Sequence, residues 1–120
     1  MVDLISISEA IKRSYDAEGF LIDVRSEEAF KKGHLPMAVN IPFEELMDEK
    51  LNIEKIEKNF NIEKEQPVFL YCDTGSTSML AAKKLDSVGI HAYSVVGGIM
   101  FYKGYLEKEK NDLWTMVRTS

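Results

Sequence analysis

The stretch Val68-Phe69-Leu70-Tyr71-Cys72-Asp73-Thr74-Gly75-Ser76-Thr77-Ser78 carries the decision about the fold. Its first four residues are apolar and β-prone, which marks a short strand covered on both faces. Gln66 and Pro67 punctuate the chain before it. After the loop 72–77, residues 78–88 read as a helix containing Met79, Leu80, Ala81, Ala82 and Leu85, with Gly89 as its C-terminal stop. A buried strand leading through a small-residue loop into a helix is the unit of an α/β sheet.

The same alternation appears on either side. Ser8 is the expected N-cap of a helix running to Tyr15, and Gly19 ends that segment. Residues 20–24 (FLIDV) form a second buried strand, and Ser26 before Glu27 and Glu28 opens another helix. Gly33 and Pro36 break the chain ahead of a short strand at 38–41. Residues 44–60 form one or two amphipathic helices whose apolar side is Leu46, Leu51, Ile53, Ile56 and Phe60. Residues 92–96 are a further apolar strand, turned by Gly97 and Gly98 into 99–106. The tail 107–120, with Leu113, Trp114, Met116 and Val117, is expected to be a final helix or a packed segment. The expectation is an α/β domain with a mostly parallel sheet.

Bulk properties narrow the function. At 120 residues the chain fits a single domain, 1–120, without repeats or linkers. Hydrophobic residues at 45% and charged residues at 29% describe a globular chain. No apolar run is long enough to span a bilayer, and residues 1–14 lack a secretory pattern, so a cytoplasmic protein is expected. Fifteen basic against 20 acidic residues give a net charge of −5, which argues against nucleic acid or an anionic membrane as partner. The single cysteine excludes an internal disulfide, and His34 and His91 alone do not supply a zinc site. A monomer is expected.

Cys72 can be a small buried hydrophobe or a reactive thiol. Position favours the thiol, because ligands of parallel sheets bind beyond the carboxyl ends of the strands. Gly75 permits a left-handed turn, and Thr74, Ser76, Thr77 and Ser78 offer hydroxyls. A loop curling onto a helix N-terminus turns several N–H groups toward one point, which favours an anion and therefore a thiolate. The candidate site is accordingly Cys72 as nucleophile, with Asp73, Thr74, Gly75, Ser76, Thr77 and Ser78 as the anion-binding loop.

Four blocks of sequence, in order over about residues 20–106, resemble the rhodanese-like domain family. They are Leu21-Ile22-Asp23-Val24-Arg25, the run from Gly33-His34-Leu35-Pro36 to Pro42, the Cys72 loop (the family's C-x-x-G-x-R-[ST]) and Val96-Gly97-Gly98-Ile99. The resemblance implies a five-stranded, mostly parallel sheet with helices on both faces. It implies sulfur transfer through a Cys72 persulfide, without a metal or organic cofactor, from a small sulfur donor or a persulfide-bearing protein to a thiol acceptor. It also makes Asp23, Arg25 and His34 structural, with the first two fixing the turn after their strand and His34 ordering its own loop. Residues 107–120 are then a C-terminal extension.

The match departs from the family at Thr77, which stands where the loop arginine belongs, and Asp73 adds a negative charge beside the thiol. Classical thiosulfate activity is therefore doubtful, and a persulfide donor is expected instead. A C-x₅-R phosphatase loop would need arginine at Ser78, which disfavours phosphate-ester hydrolysis. The competing reading is a catalytically weak or inactive rhodanese-like module that binds other proteins. Tyr102, Tyr105 and Trp114 are expected to pack rather than to line an acceptor surface.

Overall fold

The computed structural model describes residues 2–48 and 66–108. Nine elements are described: β1 (Asp3–Ile5), α1 (Ile7–Tyr15), β2 (Phe20–Asp23), α2 (Glu27–Lys32), β3 (Val39–Asn40), α3 (Phe43–Leu46), β4 (Val68–Tyr71), α4 (Ser76–Ser87) and β5 (Ala92–Val95). The strands form one sheet in the order β1-β5-β4-β2-β3, and every pairing is parallel. The α/β sheet expected from the sequence is present, with helices on both faces.

β4 is the central strand, and its alternation builds both halves of the core. Val68, Leu70 and Cys72 join a cluster with Leu46 of α3 and Ala81, Ala82 and Leu85 of α4. Phe69 and Tyr71 face the other way, packing with Ala10 of α1, Phe30 of α2 and Leu35. All four β4 residues are buried, which is why the strand reads as an unbroken apolar run. Burying a side chain such as Phe69 contributes about 2–3 kcal/mol.

Several boundaries differ from the sequence reading. The N-cap of α1 is Ser6, whose Oγ accepts from the Glu9 N–H; Ser8 lies inside the helix and its Oγ contacts that of Ser6. Both serines are competent caps, and the hydroxyl in extended backbone before the first turn is the one used. Ser26 caps α2 as expected, accepting from Ala29 N–H. α4 begins two residues early, at Ser76, and Gly89 follows its cap residue Val88. β1 has no counterpart in the reading: three residues on the sheet edge are too few to show a period. The helices expected beyond Asp48 and the segment after Lys108, including Trp114, lie outside the described residues.

Tyr102 packs partly buried against the core, whereas Tyr105 is 68% exposed, contrary to the packing expected for it. Among the described residues no helix is long and apolar enough to cross a membrane.

Candidate active site

Parallel register sets the two sides of the site. Asp23 of β2 is level with Tyr71 of β4, and the Val24 N–H donates to the Tyr71 carbonyl at 3.0 Å. The residues that leave these strands, Val24-Arg25 and Cys72-Asp73, therefore emerge side by side at the carboxyl edge. They line one cleft of about 400 Å³, together with Ser26, Ala29, Thr74 and Thr77.

Cys72 keeps the inward direction of Val68 and Leu70, so its thiol turns under the loop toward the start of α4. Only 5% of the residue is exposed. Sγ accepts from the Gly75 N–H at 3.0 Å and the Ser78 N–H at 3.4 Å, and lies 3.6 Å from Ser78 Oγ. Gly75 sits at φ 107°, the left-handed region, and that turn aims its N–H back at the sulfur. Ser78 N–H belongs to the first turn of α4, whose positive end adds to the cradle.

Burial pushes the Cys72 thiol pKa up, but the backbone and hydroxyl bonds of Ser78 and the N–H groups of Gly75 and Thr74 outweigh it. The net shift is downward. Asp73, expected to oppose the thiolate, does not reverse that balance; its side chain is 68% exposed, with Oδ1 3.9 Å from Arg25 Nη1.

The loop residues divide by position. Gly75 and Ser78 touch the sulfur, while Asp73, Thr74 and Thr77 line the cleft. Ser76 is exposed at the first position of α4 and is not among the cleft-lining residues. Ser78 Oγ donates to the Gly75 carbonyl at 3.1 Å and pairs at 2.9 Å with Ser94 Oγ of β5. Ser94, 2% exposed, thus connects the next strand to the sulfur cradle.

Asp23 and Arg25 form the frame below. The fully buried Asp23 carboxylate receives Nε of Arg25 at 3.1 Å and Nη2 at 2.7 Å. Nη2 also donates to the Gly33 carbonyl at 2.6 Å, binding the turn to the glycine that ends α2. Burial lowers the Arg25 pKa, and the Asp23 hydrogen bonds and charge more than offset it, so the guanidinium stays charged. His34 stacks on Phe30 at 3.8 Å, its Nδ1 is 3.0 Å from the Leu35 carbonyl, and its backbone pairs with Glu107. Tyr71 Oη accepts from the Leu35 N–H at 3.0 Å, anchoring the same loop over the sheet.

The late glycines complete the enclosure. Ile99 N–H donates to the Cys72 carbonyl and Met100 N–H to the Asp73 carbonyl, both at 2.9 Å. The Leu21–Arg25 block, the Cys72 loop and the late glycine turn thus meet around one cysteine, and the block that begins at Gly33 is tied to them through its carbonyl on Arg25. The family model for the rhodanese-like domain matches residues 6–104.

The chain belongs to the rhodanese-like domain family.

Among curated relatives, the chain is 35% identical over 97 residues to the tRNA sulfurtransferase of Desulfurococcus amylolyticus, covering 81% of this chain and 17% of that protein. It spans about a sixth of that relative's length. YtwF of Bacillus subtilis is closer in size: 34% identity over 89 residues, covering 74% of this chain and 78% of YtwF. Among solved structures, BH2092 of Bacillus halodurans aligns with TM-score 0.71 and 26% identity, over 92% of this chain and 82% of that one.

Two contributors to this rhodanese-like site escaped the sequence reading. Arg25 has only a structural part in the sequence expectation, yet it also lines the cleft, because it stands two residues beyond the carboxyl end of β2 as Cys72 stands one beyond β4. Ser94 carried no signal, since a serine in a short apolar strand acquires meaning only from the pairing of β5 with β4.

Proposed function

We propose that this chain is a sulfurtransferase in which Cys72 carries a sulfane sulfur as a persulfide and delivers it to a thiol acceptor. The observation that carries this reading is the Cys72 sulfur held by the Gly75 and Ser78 N–H groups at the start of α4. These groups stabilise a thiolate before transfer. As a persulfide forms, the same donors and the open cleft beside them offer hydrogen bonds to the terminal sulfur. The sulfurtransferase names of its relatives agree in general terms.

The chemistry needs little else. The Cys72 thiolate attacks the outer sulfur of a donor persulfide R–S–SH. A new S–S bond forms, the donor S–S bond breaks, and R–S⁻ leaves with the electron pair. An acceptor thiolate then removes the outer sulfur by the same displacement and regenerates the Cys72 thiolate. No redox partner is consumed.

The donor is a persulfide, small or protein-borne, in preference to thiosulfate. Thr77 lines the cleft where the family's loop carries arginine, and its hydroxyl supplies neither a permanent charge nor a bidentate fork for a dianion. Comparing single-turnover loading from thiosulfate and from an alkyl persulfide tests this, with Thr77→Arg alongside. Wild type should load from the persulfide and poorly from thiosulfate, and Thr77→Arg should raise the thiosulfate rate. Efficient thiosulfate loading with no gain from Thr77→Arg overturns the donor assignment. Loading from neither donor, with Cys72 still open to alkylation, leaves the protein-binding module as the better reading.

A further inference from the structure

The guanidinium of Arg25 is nearly buried, with a side chain 11% exposed, and its three nitrogens are not used alike. Nε and Nη2 are taken by Asp23, and Nη2 also by the Gly33 carbonyl. Among the described residues, Nη1 has no hydrogen bond. Arg25 lines the Cys72 cleft, and the acidic group facing Nη1 is Asp73 Oδ1 at 3.9 Å. That separation is too long for a hydrogen bond and within reach of a solvent-screened ion pair. The Asp73 side chain is 68% exposed, and its backbone carbonyl accepts from the Met100 N–H, which fixes the residue at the rim of the cleft.

We propose that Asp73 is the specificity-determining residue of this site: its carboxylate occupies the open Nη1 edge of Arg25 and turns dianionic sulfur donors away from Cys72. The proposal deepens the sulfur-transfer reading and rests on it for the nature of the donor. A cleft that lacks an arginine at Thr77 still holds one cation, Arg25, but two carboxylates flank it. Asp23 neutralises it from below, and Asp73 covers the edge a thiosulfate oxygen would need. An approaching dianion meets net negative charge, and the thiolate adds more. An alkyl persulfide carries at most one negative charge and meets a smaller barrier. The selectivity is therefore an arrangement of repulsion as much as a missing attraction.

The Cys72 thiolate attacks the outer sulfur of S–SO₃²⁻, the S–S bond breaks, and sulfite departs with the electron pair, leaving Cys72–S–S⁻. The dianion has to enter intact, and sulfite, also anionic, has to leave.

Asp73→Asn keeps the size of the side chain and removes its charge. Glu18→Gln makes the same change in net charge in the turn that precedes β2, at the opposite end of that strand. For Asp73→Asn, the ratio of the thiosulfate loading rate to the alkyl persulfide loading rate should rise on the order of tenfold at low ionic strength and less at high salt. Glu18→Gln should leave that ratio in place. A second readout does not depend on sulfur transfer: the ratio of Cys72 alkylation by anionic iodoacetate to that by neutral iodoacetamide should rise about threefold in Asp73→Asn alone.

An unchanged ratio and an unchanged thiosulfate rate, or equal effects on charged and neutral reagents, overturn the proposal. Failure of wild type to load from the alkyl persulfide, with the alkylation ratio shifting as expected, would sink the sulfur-transfer reading while leaving the charge selection by Asp73 in place.

Discussion

Gly98 lies directly against the carbonyl of Cys72: a Cβ built on it would fall 2.5 Å from that oxygen, and Gly98 itself holds φ at +62°. The glycine-rich turn after β5 thus presses on the backbone of the nucleophile, and the Ile99 N–H completes the contact by donating to the same carbonyl. Gly98→Ala combines left-handed strain with a clash against main chain that cannot rotate away. It should cost about 2–4 kcal/mol, measured by urea unfolding, and should slow any reaction of Cys72 in the protein that remains folded.

The Cys72 thiol is expected to ionise below the ordinary cysteine range of about 8.5. Burial opposes ionisation, and the hydrogen bonds from Ser78 and Gly75 exceed it. The iodoacetamide alkylation rate should therefore rise with pH through a midpoint lower than that of a free thiol, then level off. The thiolate of the folded chain is bound more tightly than that of the unfolded chain. Its contribution to stability is thus present above the unfolded pKa and is lost as pH falls through the folded one.

Ser78→Ala removes a hydroxyl that neighbours Sγ at 3.6 Å and Ser94 Oγ at 2.9 Å. The alkylation midpoint should move upward. Ser94→Ala should move it in the same direction by a smaller amount, because Ser94 reaches the sulfur only through Ser78. Ser94→Thr, which restores the hydroxyl, should recover the wild-type profile if the strand accommodates the added methyl. A pH profile separates this from a loss of packing, which would lower stability and leave the midpoint in place.

Arg25→Met leaves the Asp23 carboxylate buried without its partner. A loss of about 3 kcal/mol is expected, because the buried charge keeps its desolvation cost and retains the backbone N–H of residue 25, at 2.8 Å, in place of the guanidinium. Combining it with Asp23→Asn should return part of that loss in the same unfolding measurement. An additive result would show that the pair is not coupled.

How much of this was readable beforehand follows from the kind of interaction involved. The strands at Phe20 and Val68 and the helix after Cys72 were legible because they are buried on both sides or capped by local chemistry, such as Ser26 and Gly89. The short edge strand β1 was not, since its placement depends on pairing with β5, more than eighty residues away. Within the site, the loop from Cys72 to Ser78 announced itself through its small residues and its position after a strand. The family resemblance implies that Arg25 and Asp23 together fix the turn after their strand. The open edge of Arg25 toward Asp73 depends on β2 and β4 being level, which only the sheet register fixes. Ser94 is the plainest case: one hydroxyl in an apolar strand, given a role by the helix packed above it.

The most direct test of the central claim is the intact mass of the protein after exposure to an alkyl persulfide, with Cys72→Ser treated in parallel. Wild type should gain the mass of one sulfur atom, removable by a thiol, and Cys72→Ser should gain nothing. Equal gains in the two proteins, or no gain in wild type while Cys72 remains open to alkylation, would contradict a Cys72 persulfide carrier.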